Sequence, residues 1–96
     1  MAQVIWSPEA LRDLDDLAAF IAKDSQYNAA LFVQRMIDAT DRLAYFPQSG
    51  RAIPEIGASR FREVIDGDYR IMYSVNGDEV HIDAVLHGAR QFGKDR

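Results

Sequence analysis

The chain contains no cysteine, which excludes disulfides, thiolate zinc sites and cysteine nucleophiles together. Its histidines are two, His81 and His87, too few for an all-imidazole metal site, so neither a metal nor another cofactor is expected. Lysine is scarce, with only Lys23 and Lys94. No uncharged stretch approaches the roughly 18 residues needed to cross a bilayer. The opening MAQVIWSPEA carries no basic segment followed by an apolar run, as a secretion signal requires. A cytoplasmic location away from membranes is the expectation. A positive excess is missing too: 11 Lys and Arg stand against 15 Asp and Glu, a net charge of −4. Proteins that grip nucleic-acid backbones draw most of their affinity from phosphate neutralisation, so direct nucleic-acid binding is not expected. P-loop, dinucleotide-glycine and Ser-His-Asp patterns are also absent from the sequence.

What is present is a globular composition, 48% hydrophobic and 27% charged over 96 residues. That length holds one core, hence one domain spanning 1–96. Val4-Ile5-Trp6 reads as a brief strand. Ser7-Pro8-Glu9 starts a helix, with a hydroxyl to cap free amides, a proline suited to the first turn and an acid for the dipole. Leu11, Leu14, Leu17, Ala18 and Ile21 then recur at three- and four-residue spacing, which predicts a helix over 8–22. Asp24-Ser25 breaks it. A second helix is predicted over 27–45, with Ala29, Phe32, Val33, Met36, Thr40 and Leu43 inward and Pro47 as its stop. So short a connection makes the pair an antiparallel hairpin.

Residues 48–60 read as a loop long enough to suggest function. Strands follow at 61–65, 69–75 and 79–87, with turns at Asp66-Gly67-Asp68 and Asn76-Gly77. The fold class is therefore α+β, ordered β-α-α-β-β-β, with the helix hairpin on one face of a small antiparallel sheet. With Asn76-Gly77 as a two-residue turn, Tyr73 lies opposite Val80 and Ile71 opposite Ile82, toward the helices. The other face then holds Arg70 opposite Asp83 and Met72 opposite His81, continued by Val85 and His87. A three-residue turn at 66–68 adds Arg62 and Val64 to that face; a two-residue turn sends them to the other. Such a mixed polar and apolar open face is a candidate binding surface. Arg70 and Asp83 are equally readable as a plain cross-strand ion pair. RNA cleavage through a 2′-hydroxyl needs a base, a cation for the developing phosphate charge and an acid for the leaving oxygen; His87 or His81 is the candidate base, Arg70 the cation, and His87 the acid or base.

The segments SPEALRDLDDLAAFIA, AAxxFVxRMIDATDRLAYFPQSGR, REVIDGDYRIMYSV and VLHGAR, in that order, resemble the ParE/RelE superfamily of bacterial toxin–antitoxin toxins. The resemblance runs from Trp6 to about Arg90. It implies the fold just derived and a small toxin held silent, in an oligomeric complex, by the C-terminal segment of a cognate antitoxin. RelE-type members are ribosome-dependent mRNA endonucleases with lysines and arginines on the sheet. Arg70 matches the arginine of the family's Y-R-I-x-Y strand and His87 falls near its C-terminal position, but sheet lysines are lacking and the end reads LHGARQF. These departures resemble the ParE branch, which acts on DNA gyrase as a protein poison. The alternatives are an mRNA interferase using Arg70 and His87 with Arg51 or Arg62, or a non-toxic remnant that only binds antitoxin. The antitoxin or target surface implied is Arg62, Val64, Arg70, Met72, His81, Asp83, Val85 and His87, with Leu31 and Ile37 on the helices as a second option. An amphipathic, partly acidic segment suits such a face, its carboxylates meeting arginine.

Overall fold

The computed structural model describes residues 1–57 and 60–88. The elements are β1 (Gln3–Trp6), α1 (Pro8–Ala22), α2 (Gln26–Asp41), a 3-10 turn (Arg42–Ala44), β2 (Arg51–Ala52), β3 (Phe61–Asp66), β4 (Tyr69–Asn76) and β5 (Glu79–His87). The α+β class and the order of strand, helix hairpin and meander match the sequence reading. Both helices start where a serine closes the first turn. Ser7 accepts from the Ala10 amide at 3.0 Å and Ser25 from the Asn28 amide at 3.1 Å. The second helix ends earlier than its apolar stripe suggests, because the chain tightens into 3-10 geometry ahead of Pro47. Among the described residues, no helix is long and apolar enough to cross a membrane.

The sheet order is β1-β5-β4-β3-β2. Two features depart from a four-stranded antiparallel sheet. The first strand runs parallel to β5, with Val4 opposite Val80 and Trp6 opposite Ile82; a crossover through both helices joins it to the meander, and a crossover permits parallel pairing. The expected loop 48–60 contains β2, which extends the β3 edge with Arg51 opposite Glu63.

The register of the meander also differs from expectation. Asn76 pairs with Glu79, so the central turn residues are Gly77 and Asp78. Only Gly77 takes positive φ, at 59°, the glycine-first arrangement of a type II′ turn rather than the Asn-Gly arrangement of type I′. Gly67, at φ 58°, does the same with Asp68. Val75 rather than Tyr73 therefore lies opposite Val80. Farther along, Tyr73 pairs with Ile82 but Met72 with Ala84, leaving Asp83 as the extra residue of a bulge. Past Asp83 the alternation of β5 is inverted.

The helices cover one face of this sheet. Leu14, Phe32, Met36 and Leu43 meet Ile71, Tyr73, Val80, Ile82 and Val85 in a single core. Two polar ties fix the layers. Arg35 on α2 pairs with Asp66 at the end of β3. Asp13 on α1 accepts the Val85 amide at 3.0 Å, on the side of β5 that β1 leaves uncovered beyond Ile82.

Candidate functional site

The face turned away from the helices is ordered in three cross-strand rows. Phe61, Ser74 and His81 form one; Glu63, Met72 and Ala84 the next; Ile65, Arg70 and Leu86 the last. Arg70 does not face Asp83, as the expected register had it, but Leu86; and Met72 faces Ala84, not His81. The guanidinium finds its partner diagonally, on Glu63. Its Nε donates to Glu63 Oε1 at 2.8 Å, and its Nη2 lies 2.6 Å from the same oxygen. The second Glu63 oxygen takes Arg51 Nε from β2 at 2.5 Å. The turn after β2 then bends over the face. It places Glu55 against the outer nitrogens of Arg70, at 3.3 Å from Nη2 and 3.4 Å from Nη1. Burial disfavours the Arg70 cation, but its hydrogen bonds to Glu63 and Glu55 outweigh that, and its pKa stands above the ordinary arginine value.

This face is thus partly roofed by the chain itself. Arg70 is only 8% exposed, Met72 3% and Glu63 1%, so the bare guanidinium expected from the sequence is instead a buried, neutralised cluster. Four further expectations are corrected. The two-residue turn at Gly67-Asp68 sends Arg62 and Val64 to the helix side. There Val64 packs on the core and Arg62 Nη1 donates to the Gly50 carbonyl at 2.8 Å. The bulge at Asp83 turns Val85 and His87 the same way. Val85 enters the core, and the His87 ring lies 5.0 Å from Tyr69, which itself stacks on Phe32 of α2. Of the residues singled out, Arg70, Met72, His81 and Asp83 share the open face, and Arg51 joins them through Glu63.

Glu55 and Glu63, which organise this face, were not singled out from the sequence. Glu63 was open to inference, since a two-residue turn after β3 puts Phe61, Glu63 and Ile65 on the face of Arg70. Glu55 had no such signal, because it sits in irregular backbone whose path is set by tertiary contact.

At the first row lies a concavity of about 240 Å³ bounded by Arg60, Phe61, Ser74, Asn76, His81 and Asp83. The Arg60 guanidinium rests over the Phe61 ring, 4.9 Å from its centre, a cation–π contact. His81 Nε2 is 2.9 Å from Glu79 Oε1. Burial pushes the Asp83 carboxyl up, against the hydrogen bond from Ser74 and the field of His81. A raised native pKa means that the folded protein holds this proton more tightly than the unfolded chain. Its contribution to stability is therefore present below the unfolded value near 4 and lost as pH rises through the native value. Asp83→Asn is accordingly expected to raise the urea midpoint at pH 7, with the gain fading as the pH falls to about 3. A gain that persists undiminished at low pH would refute this account.

The architecture is thus a two-helix hairpin on a meander sheet whose first strand is parallel to its neighbour. The sequence matches the family described as "ParE toxin of type II toxin-antitoxin system, parDE" over residues 4–92, and the chain belongs to that family. The last part of the LHGARQF stretch, residues 89–92, lies outside the described residues. Among relatives, toxin Y4kP of Sinorhizobium fredii is 38% identical over 90 residues, covering 94% of this chain and 92% of that protein. Toxin RelE2 of Caulobacter vibrioides is 36% identical over 91 residues, covering 94% and 99%. A solved structure titled "Chromosomal ParDE TA system from P. aeruginosa" superposes with a TM-score of 0.76 at 19% identity, over 92% of this chain and 97% of the other. At that identity the likeness is one of fold.

Proposed function

We propose that this toxin inhibits DNA gyrase by binding it, catalyses no reaction itself, and is silenced by the C-terminal segment of a cognate antitoxin. The observation that carries this reading is the separation of the residues a nuclease would need. Arg70 lies on the open face, held by Glu63 and Glu55, whereas His87 and Arg62 belong to the helix side of the sheet. Acid–base chemistry requires base and cation within reach of one phosphate; His87 stands on the opposite side of the β-layer from Arg70, and His81, on the same side, lies two cross-strand rows away against Glu79. The net charge of −4 also runs against docking on a ribosome. The fold neighbour comes from a ParDE TA system, which supports an antitoxin partner. A binding role on the open face suits Ile65, half exposed beside Arg70, together with His81 and Asp83. On the helices, the exposed Leu31 and Ile37 are a second antitoxin contact.

Adding the purified protein to a gyrase supercoiling reaction is the direct test, with arrest of supercoiling expected. In growing bacteria, induction should give filamentation and DNA damage while messages stay intact. Untouched supercoiling combined with message cleavage that His87→Ala abolishes would establish the interferase instead. Absence of any growth defect would leave a protein that only binds antitoxin.

A further inference from the structure

The concavity at the first row of the open face holds a carboxylate with little to balance it. Asp83 is the extra residue of the β5 bulge, a device that re-aims a side chain, and it stands half-buried in the lining. Ser74 donates to it, but among the described residues Asp83 forms no ion pair. The two basic side chains of the lining are engaged elsewhere. The Arg60 guanidinium lies over the Phe61 ring, and His81 Nε2 faces Glu79. We infer that this concavity is a docking pocket for one basic side chain, arginine or lysine, of a protein partner, with Asp83 as its counter-ion and Phe61 as the wall for its stem.

Burial weights the charges of this lining. Asp83 is half-buried and Arg60 exposed, so the field of the carboxylate is less screened than that of the guanidinium. Glu79, beside His81, adds a second acid at the rim. An incoming phosphate or carboxylate meets these acids, whereas an ammonium or guanidinium gains a charge-assisted hydrogen bond to Asp83. Size narrows the ligand further. About 240 Å³ holds one long side chain, and such side chains lay their methylene stems on apolar surface, which the Phe61 ring provides. A polyamine brings several charges to a pocket lined by a single carboxylate. The fold itself gains little from Asp83, since its burial at pH 7 works against stability; a carboxylate so placed in a cleft is suited to binding. The inference rests on the reading of this face as a protein-docking surface, but not on gyrase being the target.

The test titrates capped Gly-Arg-Gly and Gly-Lys-Gly peptides into the full chain at pH 7, followed by the carbon NMR signal of the Asp83 carboxyl. The same peptide with citrulline, a neutral analogue of arginine, the same peptide with glutamate, and spermidine serve as the other arms. A basic peptide is expected to shift the Asp83 signal in the wild-type protein, while the citrulline peptide leaves it in place. Asp83→Asn should weaken binding of that peptide at least about fivefold, through loss of the charged acceptor. Asp24→Asn, in the turn between the helices, controls for the loss of one negative charge and should leave binding unchanged. A melting temperature at or above that of wild type shows that Asp83→Asn is folded. An Asp83 signal that neither basic peptide moves, equal binding of the citrulline peptide, or an equal loss in Asp24→Asn overturns the proposal. Tighter binding of the glutamate peptide overturns it in favour of an anion. Tighter binding of spermidine that Asp83→Asn abolishes overturns it in favour of a free polyamine. A failed supercoiling assay leaves this titration unaffected, so the two readings fail separately.

Discussion

Replacing Gly50 with alanine is expected to cost about 2–3 kcal/mol of stability, read as a lowered urea midpoint at unchanged slope. The reason is space rather than backbone conformation, since Gly50 is not among the positive-φ glycines. A Cβ there would stand 2.5 Å from the Tyr73 hydroxyl oxygen, 2.7 Å from Tyr73 Cε1 and 2.7 Å from the Glu63 carbonyl. None of these can retreat. Tyr73 is completely buried in the core, and its hydroxyl accepts the Gly50 amide and donates to the Pro47 carbonyl, each at 2.8 Å. The Glu63 carbonyl belongs to a strand paired on both sides. The substitution thus drives the 47–51 segment off the sheet, and that segment delivers Arg51 to Glu63. A loss below about 0.5 kcal/mol, the range of ordinary surface changes, would show that the segment is pliable and that this reading of its packing is wrong.

The second large effect concerns the buried charges. Arg70→Met is expected to destabilise by about 3–5 kcal/mol, because it strips Glu63 of its inner partner while leaving the carboxylate in a dry place. The Glu63 side chain is wholly inaccessible, and the Arg51 that remains on it is largely exposed. Removing both charges, as Arg70→Met with Glu63→Leu, should recover most of the loss, since apolar groups of similar volume leave no unpaired charge behind. Chemical unfolding of the two single variants and the double variant measures the coupling directly. If the double variant is as unstable as the sum of the singles, Arg70 and Glu63 are independent and the cluster is not the unit described above.

Most of the architecture was legible because its signals are local. Ser7-Pro8 announces a helix start through chemistry within one turn, Asp24-Ser25 marks the break between the helices, and the stripes of Leu14, Phe32 and Met36 report which side is buried. The glycine turns announce hairpins. Their exact phase was less accessible: Gly67 and Gly77 both serve as the first central residue, and that choice depends on how the flanking strands twist. The parallel docking of β1 and the bulge at Asp83 have no local signature, being decided by what packs where in three dimensions. Their consequences fell on the site. The bulge alone moved Val85 and His87 across the sheet, and the two-residue turn moved Arg62 and Val64. Arg70 was recognisable from its place in the Y-R-I-x-Y strand, but the carboxylates that claim it were not, because Glu55 reaches it from fifteen residues away along irregular backbone.

The bond from Asp13 to the Val85 amide bears on how crowded copies of this protein behave. A β-layer whose outermost strand shows free amides invites another strand to zip on, and repeated zipping grows fibres. Here the amide exposed past the end of the short first strand is already answered by a carboxylate from a helix. An approaching backbone carbonyl finds that donor taken and an anion in its way. The Asp13 carboxylate on α1 thereby guards this one amide of the β5 edge against strand addition.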